Sequence, residues 1–290
     1  MRSAVLAFCF LLLVRSVTAQ DGTPPAPTPQ TLRSLQWESC SADVGGAQGI
    51  GADAKIAACT ARIESGVESA HNLSVAFINR SRGYGAQHDP EKQMRDLDQA
   101  VKADPTFDVA WSESCSAHSW VSHDSDRAMQ ECAKALTLNP NSASAWTFRG
   151  DIFLRLRKFD EAIQDYNHAI ELNPKWMWPW DNRGEAYLRL NQIDRATQDF
   201  EEVIRLNPDY AMGFLDRGIA RLKKKQLDLA LSDFQTGLKV DPKCARCLIG
   251  LGLVKRTRGD FKAGDADVAA GKAMDPKAPE LFEEDGFQIP

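Results

Sequence analysis

An Asn-Pro or Asp-Pro dipeptide recurs along this chain with its proline at Pro105, Pro140, Pro174, Pro208, Pro242 and Pro276, giving spacings of 35, 34, 34, 34 and 34 residues. A fixed period of this length means that one small unit is repeated and stacked, so no single central core is expected. Numbering each unit so that the proline is position 32, with one extra residue between the two helices of the second unit accounting for its period of 35, brings the rest into register. Position 4 holds Phe77, Trp111, Trp146, Trp180, Phe214 and Leu248, all large and apolar. Position 8 holds Ser81, Cys115, Gly150, Gly184, Gly218 and Gly252. Position 20 gives Gln93, Ala128, Ala162, Ala196, Ala230 and Gly264, and position 24 gives Leu97, Cys132, Tyr166, Phe200, Phe234 and Val268. Position 27 is small in five units of six: Ala100, Ala135, Ala169, Gly237 and Gly271, with Val203 the exception.

Positions 4, 8 and 11 fall on one face of a helix, and 20, 24 and 27 on one face of a second. Each unit therefore reads as two antiparallel helices, over about positions 1–14 and 18–30, brought close by the small residues. Such a hairpin cannot bury both faces alone and must stack on its neighbours. The pattern resembles the tetratricopeptide repeat across about residues 74–276, weakening at both ends. The resemblance implies an all-α fold: a right-handed superhelical solenoid of about six helix-turn-helix repeats, near 74–107, 108–142, 143–176, 177–210, 211–244 and 245–276, with a concave surface lined mainly by first helices. Residues 37–73 read as a cysteine-stapled helical N-terminal cap and 277–290 as a C-terminal cap or tail.

The N-terminus sets the expected compartment. Met1-Arg2-Ser3 is a basic head, residues 4–14 are an apolar run, and Val17-Thr18-Ala19 supplies small residues where a signal peptidase reads. This is the pattern of a signal peptide cleaved after Ala19. A buried N-terminal helix would be amphipathic, whereas this run is apolar all round. Residues 20–36 carry four prolines between Pro24 and Pro29 and read as an extended tether. The formal charge of −5 becomes −7 without the signal segment, which disfavours a general electrostatic grip on nucleic acid or an anionic membrane. No membrane insertion of the mature chain is expected.

Removing Cys9 leaves Cys40, Cys59, Cys115, Cys132, Cys244 and Cys247, which in an exported chain suggests three disulfides. Six cysteines allow about 15 pairings. Spacing and repeat register favour 40 with 59, 115 with 132, and 244 with 247. The second pair joins positions 8 and 24, where the two helices face each other. A loop of this length contributes about 3 kcal/mol in the chain-entropy model. The Cys244-x-x-Cys247 motif at a helix start also resembles redox motifs, because a helix N-terminus lowers a thiol pKa. No alternation of strands and helices of the thioredoxin type surrounds it, and no second ligand couple completes a zinc site.

Position 7 carries Arg80, Arg149, Arg183 and Arg217 in the four repeats whose position 23 carries Asp96, Asp165, Asp199 and Asp233. They read as structural ion pairs between helices, of the weak exposed kind. The resemblance implies that positions 2, 5, 6, 9, 12 and 13 of the first helices face a peptide groove. This places Asn79 and Asn182 at position 6, Glu185 at position 9, and Arg155, Arg189 and Lys223 at position 13 as a basic rail. Among the clustered tryptophans, Trp180 reads as core, Trp176 as packed in the inter-repeat turn, and Trp178 as a groove-facing anchor.

No catalytic constellation, cofactor motif or metal set stands out; His118, His123, Asp124 and Asp126 read as a solvated loop. The chain therefore reads as a non-enzymatic scaffold binding a protein or peptide on a concave surface, exported to the periplasm or secreted, and similar to exported tetratricopeptide proteins of Gram-negative bacteria. The alternatives are a thiol-disulfide redox protein using Cys244 and Cys247, or a purely structural envelope component. Because the first two staples sit where repeat chemistry is poorest, reduction should raise amide exchange in the N-terminal third before residues 150–242. Uniform loosening in hydrogen-exchange mass spectrometry would sink that expectation.

Overall fold

The computed structural model describes residues 34, 37–42 and 50–289. The expected signal segment, the tether apart from Ser34, and most of the glycine-rich stretch before Gly51 lie outside the described residues. Fourteen α-helices occur among the described residues, and none is long and apolar enough to cross a membrane. The chain divides into two compact units, residues 1–96 and 97–290.

In the first unit, α1 (Ala52–Glu64) packs on α2 (Ala70–Ala86), and α3 (Pro90–Ala103) begins. Ser69 caps α2 by accepting from the Asn72 amide at 3.1 Å. A helical turn at 37–41 is joined to α1 by the Cys40–Cys59 disulfide, with Cα atoms 4.7 Å apart. The two sulfurs and Ala76 are fully buried and make the centre of this small core. Arg62 lies 4.8 Å from the Trp37 ring and pairs with Glu68 at 2.5 Å, so its charge is neutralised where it is buried. A core this small depends on such staples.

The second unit is a run of helical hairpins: α4 (Asp108–Trp120) with α5 (Ser125–Leu138), α6 (Ala143–Arg155) with α7 (Phe159–Leu172), α8 (Met177–Arg189) with α9 (Ile193–Leu206), α10 (Ala211–Lys223) with α11 (Leu227–Val240), and α12 (Ala245–Thr257) with α13 (Phe261–Met274). Each helix packs on its predecessor and its successor, which is how a solenoid buries faces that one hairpin leaves open. The chain ends with α14 (Ala278–Glu284), packed on α12 and α13 through fully buried Phe282.

Within the hairpins the position 8 to position 24 contact is very tight. A Cβ on Gly150, Gly184 or Gly218 would stand 2.6 Å from a ring carbon of Tyr166, Phe200 or Phe234. In the α4/α5 hairpin the same two positions are the Cys115–Cys132 disulfide, with Cα atoms 5.3 Å apart. Between hairpins, the position 4 indoles donate to the carbonyls of the preceding prolines: Trp111 to Pro105 at 2.9 Å, Trp146 to Pro140 at 2.8 Å and Trp180 to Pro174 at 3.1 Å. This bond is the physical link between the two most regular marks of the period.

The arginine–aspartate pairs are stronger than the exposed kind the sequence suggested. Arg149 meets Asp165 at 2.7 and 2.8 Å, Arg183 meets Asp199 at 2.8 and 2.7 Å, and both aspartates are buried. Arg80 and Asp96 do the same in the first unit, at 2.7 and 2.8 Å. Each guanidinium also lies over the aromatic ring at position 4, as Arg149 does over Trp146 at 4.6 Å. Burial and two-pronged geometry, rather than charge alone, make these pairs structural.

Where position 7 lacks arginine, the partner of the position 23 carboxylate comes from position 11, one helical turn on. His118 Nδ1 stands 2.8 Å from Glu131, and Lys255 Nζ stands 2.6 Å from Asp267. His118 is therefore a buried member of α4 and not part of a solvated loop, because Glu131 offers it a partner.

Alanine at Gly184 gains about 1 kcal/mol of helix propensity but must displace the Phe200 ring, an overpacking cost of about 1–3 kcal/mol. The clash should win, and Gly184→Ala should lower the thermal midpoint by several degrees in a circular-dichroism melt; an unchanged or raised midpoint contradicts the account.

Candidate functional site

The first helices of the second unit present a groove with two adjoining clefts. The larger, about 490 Å³, is lined by Trp120, Thr147, Phe148, Asp151, Trp176, Trp178, Asp181, Asn182 and Tyr210. The helix period puts these side chains together: Trp120 is the last residue of α4, Thr147, Phe148 and Asp151 lie on α6, and Trp178, Asp181 and Asn182 lie on α8. Trp120 is 54% exposed and Trp178 43%, unusual for so large an apolar ring. Trp178 meets Tyr210 edge-on at 5.5 Å between centroids, and Trp176 meets Phe148 likewise at 6.4 Å.

Carboxylates underlie these rings. Asp151 Oδ1 accepts from Tyr166 Oη at 2.8 Å and from Asn182 Nδ2 at 2.7 Å, which ties α8 to the α6/α7 hairpin. Burial pushes its carboxyl up to about 6, with the hydrogen bonds from Tyr166 and Asn182 opposing. Asp181 Oδ2 accepts from Tyr210 Oη at 3.3 Å, while its buried Oδ1 has no hydrogen-bond partner. Burial first, and repulsion from Glu185, raise Asp181 to about 7. Asp216 is half-buried as a residue, yet its carboxyl is desolvated beside Asp181, Glu185 and Asp285 and is held well above the usual range.

The second cleft, about 160 Å³, shares Asp181, Asn182 and Tyr210 and continues to Arg189, Asp216, Arg246, Leu281 and Asp285. Here the chain occupies its own groove. Arg189 pairs with Glu284 at 3.0 Å and with Glu185 at 3.3 Å. Lys223 donates to the Asp285 carbonyl at 2.9 Å and pairs with its carboxylate at 3.1 Å. Leu281, Phe287 and Ile289 pack against the same core. Arg155 donates to Ser119 Oγ at 2.8 Å and to the Ser119 carbonyl, and lies 5.5 Å from the Trp120 ring. All three cations of the expected basic rail are thus engaged within the chain.

The remaining expected residues are placed as follows. Asn182 lines both clefts but is bound to Asp151. Asn79 is buried in α2 of the first unit, 3.5 Å from Arg82. Trp176 lines the larger cleft and is not simply packed in a turn, because edge contact with Phe148 leaves it half-buried. Cys244 and Cys247 form the third disulfide at the start of α12, both buried. Sequence reasoning missed Trp120, although it stands at position 13 of its repeat, the position from which the basic rail was read.

A profile described as tetratricopeptide repeat matches residues 143–175, and a second of the same description matches 179–210. Residues 143–210 of this chain carry tetratricopeptide repeats. A profile for the protein prenyltransferase alpha subunit repeat matches residues 125–156, which span α5 and α6. Among solved structures, that of the work titled "Functional Characterization of Pseudomonas Aeruginosa pilF" is 19% identical with a TM-score of 0.63, covering 74% of this chain and 99% of its own. A tetratricopeptide repeat protein from Parabacteroides merdae is 14% identical with a TM-score of 0.60, over 81% of this chain and 93% of its own. YrrB, described as a TPR protein with an unusual peptide-binding site, is 18% identical with a TM-score of 0.51, over 64% and 97%. Such identities show a shared fold alone. No curated protein sequence matches the chain.

Within these tetratricopeptide repeats the buried Asp181 carries a pH signature. Its folded pKa of about 7 exceeds the unfolded value, so the native state binds the proton more tightly. Stability from this group therefore rises as pH falls from about 8 toward 4. Asp181→Asn removes the repulsion and should stabilise the protein by about 1–3 kcal/mol at pH 8, with the gain vanishing near pH 4. Urea unfolding at both pH values checks this; an Asn variant less stable at pH 8 overturns it.

Proposed function

We propose that this chain is an interaction scaffold that holds a peptide or extended segment of a partner protein in the groove formed by α4, α6 and α8. The observation that carries the reading is the pair of exposed tryptophans, Trp120 and Trp178, facing one cleft with Trp176, Phe148 and Tyr210. Aromatic side chains left open to water in a concave site are what binding hot spots are made of. The family profiles support a scaffold, and the peptide-binding site named for YrrB supports a peptide as occupant. The role needs no chemistry from the chain itself.

Export belongs to the same proposal: residues 1–19 act as a signal peptide, 20–36 as a tether, 37–73 as the stapled cap, 74–276 as the repeat array and 277–290 as its C-terminal closure. Three disulfides favour an oxidising compartment, either periplasmic or extracellular. The redox alternative is disfavoured because Cys247 is fully buried and Cys244 only 6% exposed, which leaves an incoming thiolate poor access to either sulfur.

The test is crosslinking capture from the native envelope with the full chain and with a Trp120→Ala, Trp178→Ala double variant. Both side chains are exposed, so the variant should melt within a few degrees of the parent while losing at least about tenfold of the captured partner. Equal capture by both proteins removes the groove reading, and a partner-free parent favours a purely structural role.

A further inference from the structure

We infer that the larger cleft is a receptor for a cationic side chain, a lysine or arginine of the bound segment, held between the exposed indoles and the buried carboxylates of Asp151 and Asp181. This rests on the groove reading above and names the chemistry of its occupant.

The orphaned acceptor is the starting point. Asp181 is nine-tenths buried, and its Oδ1 has no donor among the described residues. Buried polar atoms are nearly always satisfied, and a buried carboxylate lacking a donor is the costliest exception. Water could supply a hydrogen bond, but a cation also neutralises the charge of the ionised form. Asp151 has its Oδ1 occupied by Tyr166 and Asn182, yet its carboxylate stands on the same wall and adds to the negative field. The chain's own cation on that side, Arg155, is held by Ser119.

The walls fit the same occupant. The stem of lysine or arginine is apolar and its head is charged, so it can run along indole faces and end on a carboxylate. Trp120 and Trp178 offer such faces, and a cation over an indole is attracted by the ring quadrupole. An acidic side chain would meet repulsion from Asp151, Asp181 and Glu185. A purely apolar one would complete the burial of Asp181 without giving its Oδ1 a donor. The adjoining cleft also carries carboxylates, but its Arg189 is already paired with Glu185 and with Glu284 of the chain's own tail. The larger cleft has two acids and no cation in its lining.

The two buried carboxylates also predict how binding responds to pH. Asp151 is faced by Tyr166 from α7, Asn182 from α8, the Trp120 indole from α4 and Arg155 from its own helix. Asp181 is faced by Tyr210, by Asp216 of α10 and by Glu185 of its own helix. Both carboxyls are partly protonated near neutrality, so a cation should bind more tightly as pH rises from about 5.5 to 8.

Random heptapeptides displayed on phage, selected against the folded full chain and then synthesised for calorimetry, test the inference. The expected peptides carry a lysine or arginine at one fixed place. Replacing it with norleucine should weaken binding about tenfold or more, as should Asp151→Asn with Asp181→Asn, and that double variant should lose the pH dependence. A melt of the variant shows that it is folded. Peptides that need Trp120 and Trp178 but tolerate norleucine and the asparagine variant would leave the groove reading standing and overturn the cation receptor. Failure to select any peptide sensitive to the tryptophans would remove the groove reading, and the inference with it.

Discussion

The closeness of two helices at one point sets almost everything else in the repeats. When glycine at position 8 lies under the ring at position 24, the hairpin closes to a fixed separation, and the next hairpin must meet the same surface at the same pitch. Cys115 and Cys132 show that the constraint is geometric rather than chemical, since a covalent bridge can stand where a glycine and an aromatic ring stand elsewhere. The buried aspartates then fall where an arginine of the partner helix reaches them. Arg80, Arg149 and Arg183 each lie near two rings, Arg183 at 4.9 Å from Trp180 and 5.7 Å from Tyr187. Packing, ion pairing and ring stacking thus share one cause.

What was legible in the sequence was whatever the period repeats. Pro174 and Trp180 announced themselves by recurrence, and the hydrogen bond between them explains why they recur together. The ion pairs could be read where arginine kept its place, but not where His118 and Lys255 took over one turn later, because a shifted column breaks the alignment while preserving the contact. The turn between the helices of a repeat was equally hidden. Position 15 has a positive φ in all six repeats, yet it is His88, His123, Arg157, Asn191 and Lys225 before it is Gly259. Composition gave no hint of a left-handed residue there, because tertiary packing imposes it against local preference.

The groove was legible only in part, for a different reason. Which residues face inward follows from the helix period, and Trp178 and Glu185 were found that way. What those residues touch depends on distant parts of the chain. Arg189 stands 95 positions from Glu284, and no local pattern reports such a meeting. The expected basic rail was therefore a statement of register that said nothing about occupancy. The carboxylates at Asp151 and Asp181 acquire their character from burial, which a one-dimensional reading does not supply.

The C-terminal tail has a mechanical meaning as well. The indole-to-proline bond that pins successive hairpins is absent where position 4 is Phe214 or Leu248, since neither side chain can donate. Those are the junctions before α10 and α12. The tail crosses this same stretch, reaching Arg189 on α8 and Lys223 on α10 while α14 sits on α12. It works as a tie-rod over joints that have no pins of their own. With the tail drawn aside, those junctions would keep neither link.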